Sequence, residues 1–341
     1  MITIVMPVYN GARHLREALE SLRGNRIVCV DDASTDDSAA IIASVTPSAS
    51  EGPGGAGGAN HVLRATQPPR PLAHARGDIE LVRNDEHLGL AANWNRCVDL
   101  VTTPFFALAH QDDVYEPGFA AAMLALLEAH PRAFMAHCKT MAIDDEGRAI
   151  DTPAARYKES LWPRHDPYEE GGPAALARLA RGNFIVAPAV VFRTEAVRAI
   201  GAFSPLEFVP DWEYWLRGVL AGYTIAGTHR RLVRFRRHAA TATRALERTL
   251  DRYREEIALQ RWIEREARLP AQYATVSRIV LSEIAAALAN GDRGRAAELL
   301  SFAKREIPRF RGAALVNAAI RSGKLGGRAM LAAQAVALRF P

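Results

Sequence analysis

The sequence predicts an α/β fold: a Rossmann-like mixed, mostly parallel sheet flanked by helices, followed by a helical C-terminal region. Short apolar β-type runs alternate with helical patterns over roughly the first 110 residues, an order that argues for parallel strands joined by crossover helices. The strand-like runs end in polar and acidic residues, where such sheets carry their functional groups. After about Leu246 strand signals give way to Ala/Leu/Arg/Glu-rich helical periodicity.

Residues 2–6 form an apolar run closed by Pro7 and read as a buried first strand. Asn10-Gly11 turns the chain into a helix over 12–22, with Leu15, Ala18, Leu19 and Leu22 at helical spacing. A second strand, 26–30, ends in Asp31-Asp32, and 34–45 reads as the next helix. The stretch 47–77 interrupts this order, because its Gly/Pro-rich composition has no means of packing, and a flexible insertion is expected. A third strand at 79–82, a helix at 90–101 and a fourth strand at 105–109 follow. Beyond them come a helix at 119–129, a strand at 133–138, a loop-rich stretch at 152–182, a strand at 187–192 and a short helix at 194–200. Helical patterns occupy 246–267, 273–289 and 293–304, so the expected division is an α/β domain over 1–245 and a helical region over 246–341.

With 341 residues, 49% hydrophobic and 24% charged, the chain can bury a full core and an appendage. Cys29, Cys97 and Cys138 are few, widely spaced and odd in number, which points away from disulfides and zinc and toward a reducing, cytoplasmic compartment. The N-terminus lacks the basic and long apolar regions of a signal peptide, and no segment reaches the length of a membrane span. A net charge of +5 suits anionic small molecules or a membrane surface; without a basic-aromatic stripe, nucleic acid is not an expected partner. Residues 313–340 mix small apolar residues with Arg321, Lys324, Arg328 and Arg339. They read either as a peripheral contact with the inner membrane face or as bundle helices with solvated arginines.

His110-Gln111-Asp112-Asp113 closes the fourth strand. Two adjacent carboxylates at a buried strand end are costly without a counter-charge, and a hard divalent cation carrying phosphate oxygens is their natural partner. The alternative is a turn with both carboxylates in water. Other polar clusters follow the same logic: Pro7-Val8-Tyr9-Asn10 after the first strand and Asp31-Asp32-Ala33-Ser34-Thr35-Asp36 after the second. Far downstream stand Asp211-Trp212-Glu213-Tyr214-Trp215-Leu216-Arg217 and Phe235-Arg236-Arg237-His238.

Together with Asn84, Gly89 and Asn93-Trp94-Asn95-Arg96-Cys97, these motifs make residues 1–245 resemble the family 2 inverting glycosyltransferases of the GT-A fold, bacterial surface-glycan type. The resemblance implies that Pro7 and Tyr9 line the nucleotide base, with Asn10 on the same loop, and that Asp32 hydrogen-bonds the base. It further implies that Asp112 lies near the ribose and donor sugar, that Asp113 holds Mn²⁺ or Mg²⁺, and that His238 completes the metal and diphosphate site. Asp211 matches the catalytic base, where Pro210 replaces the Glu that usually precedes it. Arg236 or Arg237 would add a charge-assisted bond to the diphosphate, and Asn93 and Asn95 either organise the donor loop or sit on a helix surface.

Some assignments have two readings. Tyr9 also fits simple packing under the first helix, Asp31 and Asp32 can exchange the roles of cap and ligand, and His238 can act as a hydrogen-bond donor alone. Glu213 is the runner-up base, but two residues apart on a helix it and Asp211 cannot face the same way. Trp212 and Trp215 read as core or acceptor-wall residues. The short 23–25 connection and the 47–77 insertion depart from the family pattern.

The expected activity is metal-dependent inverting transfer from a nucleotide-diphosphate sugar, a UDP-sugar favoured, to a hydroxyl of a glycan or lipid-linked glycan acceptor. One alternative is a nucleotidyltransferase, which needs a Gly-rich cationic loop after the first strand that Pro7 to Gly11 does not supply. Another is a non-catalytic nucleotide-sugar or glycan-binding protein.

Overall fold

Strand β1 (Ile2–Val8) pairs in parallel with β2 (Arg26–Asp31) on one side and β5 (Phe105–Leu108) on the other. The computed structural model describes residues 1–45, 62–64, 79–237, 249–308, 310, 313–322 and 324–337. Beyond β2 the parallel order continues through β4 (Ile79–Arg83) to β3 (Val62–Arg64). Beyond β5 the sheet runs through β9 (Val190–Arg193), β7 (Ala133–Ile143) and β10 (Thr224–Arg236) to β6 (Val114–Tyr115), with β8 (Tyr168–Gly171) also on β10. There β9, β6 and β8 run antiparallel to their partners, so the sheet is mixed.

Helices α1 (Ala12–Ser21), α2 (Ser38–Val45) and α4 (Phe119–Ala129) bury Leu15, Leu19, Ile42, Met123 and Leu127 in one core with Ile4, Met6, Val8, Ile27 and Cys29 of the strands. Helix α3 (Leu90–Asp99) buries Trp94 and Cys97. All three cysteines are free and buried.

Strand β1 continues through Pro7 instead of stopping there. The register explains the tolerance: β5 pairs with β1 only as far as Val5, so the missing Pro7 N–H faces a side where the neighbour has ended. Helix α2 begins at Ser38, four residues later than expected, because Ser34, Asp36 and Ser38 spend their side chains on another helix. They accept from the backbone N–H groups of Asn10, Ala12 and Gly11, at 3.0, 3.0 and 2.9 Å, and so satisfy the N-terminus of α1. The expected loop at 152–182 instead holds α5 (Pro153–Ser160), β8 and α6 (Gly172–Arg181). Residues 187–189 form a 3₁₀ turn before β9, Pro188 having no N–H to give a ladder. Of the 47–77 insertion only 62–64 are described, as edge strand β3.

The 13-residue strand β10 is the main addition to the expected elements. It reads poorly as a strand because Thr228, His229, Arg230 and Arg231 interrupt the apolar pattern, and its pairing with β7 shifts register there. Its last residues lie antiparallel to β6, the segment that follows Asp113.

The chain divides into two units: residues 1–176 with 183–238, and residues 177–182 with 239–341. In the second, helices α9 (Asp251–Trp262), α10 (Tyr273–Asn290), α11 (Arg293–Glu306), α12 (Ala313–Ser322) and α13 (Lys324–Ala337) share a core. Tyr253, Val280, Ile284, Leu299, Phe302, Val316 and Met330 belong to it. Val316, Ala319 and Met330, on the two last helices, are thus turned to a bundle core. No helix among the described residues is long and apolar enough to cross a membrane.

Candidate active site

The carboxyl ends of β1, β2 and β5 lie side by side in the sheet, so the three polar loops that follow them open on one edge. Gln111 ties two of these loops together. Its carboxamide accepts from the Tyr9 N–H at 2.9 Å and donates to the Tyr9 carbonyl at 3.0 Å, as a strand neighbour would where β5 has run out. Gly11 makes room for it: a Cβ there would fall 2.2 Å from Gln111 Oε1. The Tyr9 ring is 42% exposed and stacks on His87, with centroids 3.9 Å apart, so it does not pack under α1. Asn10 adopts a left-handed backbone (φ 47°), and its Oδ1 accepts from Thr35 N–H at 2.8 Å.

Both residues of the Asp31-Asp32 pair are buried and occupied. Asp31 faces Arg83 Nη1 at 2.9 Å. Asp32 Oδ1 accepts from Asn84 Nδ2 at 2.8 Å and Leu88 N at 2.9 Å, while Oδ2 accepts from Gly89 N at 3.0 Å and meets His87 Nδ1 at 2.8 Å. Asn93 is buried and spans Asn84 and the Val30 carbonyl. Of the two expectations for Asn93, the helix-surface one is corrected: the buried amide braces the 84–89 loop from behind. Asn95 and Phe203 exchange two hydrogen bonds, Asn95 Nδ2 to the Phe203 carbonyl at 3.0 Å and Phe203 N–H to Asn95 Oδ1 at 2.8 Å.

At the end of β5, ligand atoms of His110, Asp112 and Asp113 lie within 4.8 Å of one another. Asp113 is fully buried; its Oδ1 accepts from Arg236 N–H at 2.8 Å, whereas its Oδ2 has no hydrogen-bond partner. Burial, then the neighbouring Asp112 charge, push the Asp113 carboxyl well above its ordinary range. His110 Nε2 is likewise buried without a partner, and burial holds its imidazole below its ordinary value, leaving a neutral ring with a lone pair. One imidazole and two carboxylates, with two buried ligand atoms unpartnered, make a donor set that fits a divalent cation. His110 is a ligand candidate that the sequence expectation lacks, and its spacing of two from Asp112 is the signal that points to it.

Arg236 is a correction. It is 1% exposed, and its guanidinium donates to the carbonyls of Asp112, Asp144 and Asp145 and to Glu17, at 2.6–3.1 Å. Three of these bonds go to loop carbonyls and the fourth to Glu17 on α1, so Arg236 builds the site instead of reaching a diphosphate. Arg237 is partly exposed. His238 lies outside the described residues.

Asp211 stands in the first turn of α8 (Pro210–Leu220). Its Oδ2 accepts from Asn183 Nδ2 at 2.8 Å and its Oδ1 from Trp212 N–H at 2.7 Å. Burial raises its pKa, opposed by the Lys158 ammonium of α5 and the Asn183 bond. Lys158 senses the charges of both Asp211 and Arg237, and Arg237 follows the residue whose N–H holds Asp113. Glu213, the runner-up, is corrected as well: Arg217 Nε and Nη2 each donate to it at 3.0 Å and Ser204 Oγ at 3.1 Å. Trp212 and Trp215 are buried, Trp215 stacking on Phe192.

An acidic cluster at the carboxyl edge of the strands, with a second carboxylate at a helix start, lies where α/β enzymes bind their ligands, and the mixed sheet with its flanking helices is of the GT-A type. The family model "Glycosyl transferase family 2" matches residues 3–173, half of the chain, and the protein belongs to that family and is a glycosyltransferase. Two bacterial relatives align over most of their length. "Uncharacterized protein MT1568" of Mycobacterium tuberculosis is 25% identical over 74% of each chain. "Uncharacterized glycosyltransferase RP339" of Rickettsia prowazekii is 22% identical over 75% of this chain and 70% of its own. Among solved structures, S. aureus TarS 1-349 in complex with UDP-GlcNAc superposes with a TM-score of 0.56 at 13% identity, covering 98% of this chain and 92% of that one. The mannosyltransferase PcManGT from Pyrobaculum calidifontis, in complex with GDP-Man and Mn²⁺, reaches a TM-score of 0.50 at 17% identity, covering 99% and 87%. These likenesses establish the fold.

Proposed function

We propose that the protein transfers a sugar, with inversion, from a nucleotide-diphosphate sugar to an acceptor hydroxyl on a bacterial surface glycan, free or lipid-linked. The observation that carries this reading is the His110, Asp112 and Asp113 cluster with its two unpartnered buried atoms, at the edge where the β1 and β2 loops also open. These three residues would hold the cation, and the imidazole among them favours Mn²⁺ over Mg²⁺. A cation bound there supplies Lewis-acid stabilisation of the charge that develops on the leaving diphosphate. Asp112, the less buried of the two carboxylates, also faces the donor sugar. Tyr9, with Pro7 and Asn10 behind it, and Asp32 receive the nucleobase.

Asp211 is the general base. It takes the proton of the acceptor hydroxyl as that oxygen bonds to the anomeric carbon and the carbon–diphosphate oxygen bond breaks. A single displacement at the opposite face inverts the centre and needs no covalent sugar–enzyme intermediate. Asn183 orients Asp211 through its 2.8 Å hydrogen bond, and Lys158 favours its ionised form. The complexes of TarS with UDP-GlcNAc and of PcManGT with GDP-Man and Mn²⁺ support a nucleotide-sugar donor and a divalent ion, and the former favours a UDP-sugar. A cytoplasmic location, peripheral to the inner membrane face, is consistent with the three free cysteines and the basic 313–340 segment.

The test is donor hydrolysis over a panel of nucleotide sugars with Mn²⁺. Hydrolysis by the native protein, lost in Asp113→Ala and reduced about 10²–10⁴-fold in Asp211→Asn with donor binding intact, supports the reading. Binding of nucleotide sugars without any turnover, in the presence of acceptor glycans, would instead mark a binding protein.

A further inference from the structure

We infer that His87 is a built-in stand-in for the donor's base: its imidazole occupies the nucleobase position in the free protein and is displaced when a nucleoside diphosphate binds. This rests on the reading of Tyr9 and Asp32 as the base-binding pair. His87 engages both of them at once. Its ring stacks on Tyr9 with centroids 3.9 Å apart and planes 22° apart, and its Nδ1 lies 2.8 Å from Asp32 Oδ2. A flat aromatic ring over Tyr9, presenting one N–H to the Asp32 carboxylate, is the pair of contacts a base with a ring N–H would make.

The four donors on Asp32 are not equivalent. Leu88 and Gly89 donate from the backbone, and Asn84 is 4% exposed and locked to Asn93. His87 donates from a side chain that is 50% exposed, so it alone of the four can leave without unfolding the loop. Once it has left, Asp32 Oδ2 keeps its Gly89 bond and regains an open acceptor site, and one Tyr9 face is uncovered. A ring N–H on uracil or guanine replaces the lost donor. Cytosine and adenine present a ring acceptor there beside an exocyclic amino donor, so they restore the stack but set a nitrogen lone pair against the carboxylate. The imidazole thereby imposes the same displacement cost on every base, and Asp32 decides how well each base offsets it.

Binding of UDP and GDP, with Mn²⁺ present, is measured by calorimetry for the native protein and for His87→Ala. Displacement predicts that His87→Ala binds the preferred nucleotide about 3- to 10-fold tighter, because the competent state is no longer shared with the occluded one. Because every nucleotide displaces the same imidazole, the preference of UDP or GDP over CDP and ADP stays unchanged in the variant while all affinities rise together. In the native protein, acylation of His87 by diethyl pyrocarbonate, followed by mass spectrometry, should accelerate on saturation with the nucleotide. Equal or weaker binding by His87→Ala, or protection of His87 by the nucleotide, overturns displacement while leaving the donor site standing. Failure of both proteins to bind any of the four nucleotides removes the donor-site reading and this inference with it.

Discussion

Two adjacent aspartate pairs end two parallel strands of one sheet, and the protein treats them in opposite ways. Asp31-Asp32, at the end of β2, is met by three backbone N–H groups, Asn84, His87 and Arg83, whose guanidinium faces the otherwise unbonded Asp31 Oδ2. Asp113, beyond β5, has one backbone N–H and an oxygen with no partner, beside a second carboxylate that raises its pKa further. The same dipeptide therefore serves as a keystone in one loop and as an unfilled charge in the other. What distinguishes them is the supply of donors, because a buried carboxylate surrounded by N–H groups is stable as an anion and one without them calls for a cation.

The largest effect is expected where the donors converge. Asp32→Ala should cost about 3 kcal/mol in chemical denaturation, since it strips a buried, multiply bonded charge and leaves its donors unpaired. Asp113→Asn should do the reverse, stabilising the metal-free protein by about 1 kcal/mol while removing the rise in Tm that Mn²⁺ gives the native chain. Its folded pKa is raised, so between the ordinary carboxylate range and that raised value the folded state holds the extra proton. Metal-free stability consequently increases as pH falls through that window, and Asp113→Asn should weaken the trend. A loss of stability in Asp113→Asn comparable to that of Asp32→Ala would erase the contrast.

A second carboxylate pair sharpens it at smaller scale. Glu213 is bound to Arg217 and Ser204, so Glu213→Gln should cost about 1 kcal/mol of stability and leave donor hydrolysis within about threefold of native. Asp211 carries instead a pKa raised by burial and held down by Lys158. As a base it works deprotonated, so Lys158→Met should move the acid limb of the pH–rate profile to higher pH; an unmoved limb would separate Lys158 from Asp211.

Much of the architecture is legible in the chain itself, for a physical reason. The strands β1, β2, β4 and β5 are short apolar runs whose buried faces leave little ambiguity, and the acidic loops follow directly from where they stop. Strand β10 was hidden because its polar middle and register shifts break the alternation that marks a strand. The site was half legible in the same sense. Residue type announces that Asp113, Asp211 and Asp32 matter, but their side-chain and backbone partners include residues 123, 28 and 52 positions away. Arg236 illustrates the limit: as a letter it reads as a phosphate ligand, and only the fold reveals that Glu17 and three carbonyls already claim it. His110 is the converse, a histidine whose interest arises from an atom left bare by packing.

The carboxamide of Gln111 stitches the backbone at Tyr9 to the acidic loop two residues further on, with Gly11 clearing its path. The two loops are therefore yoked, and neither can drift by an ångström without dragging the other. A molecule long enough to touch both would be gauged along its whole length at once, by a ruler made of one side chain.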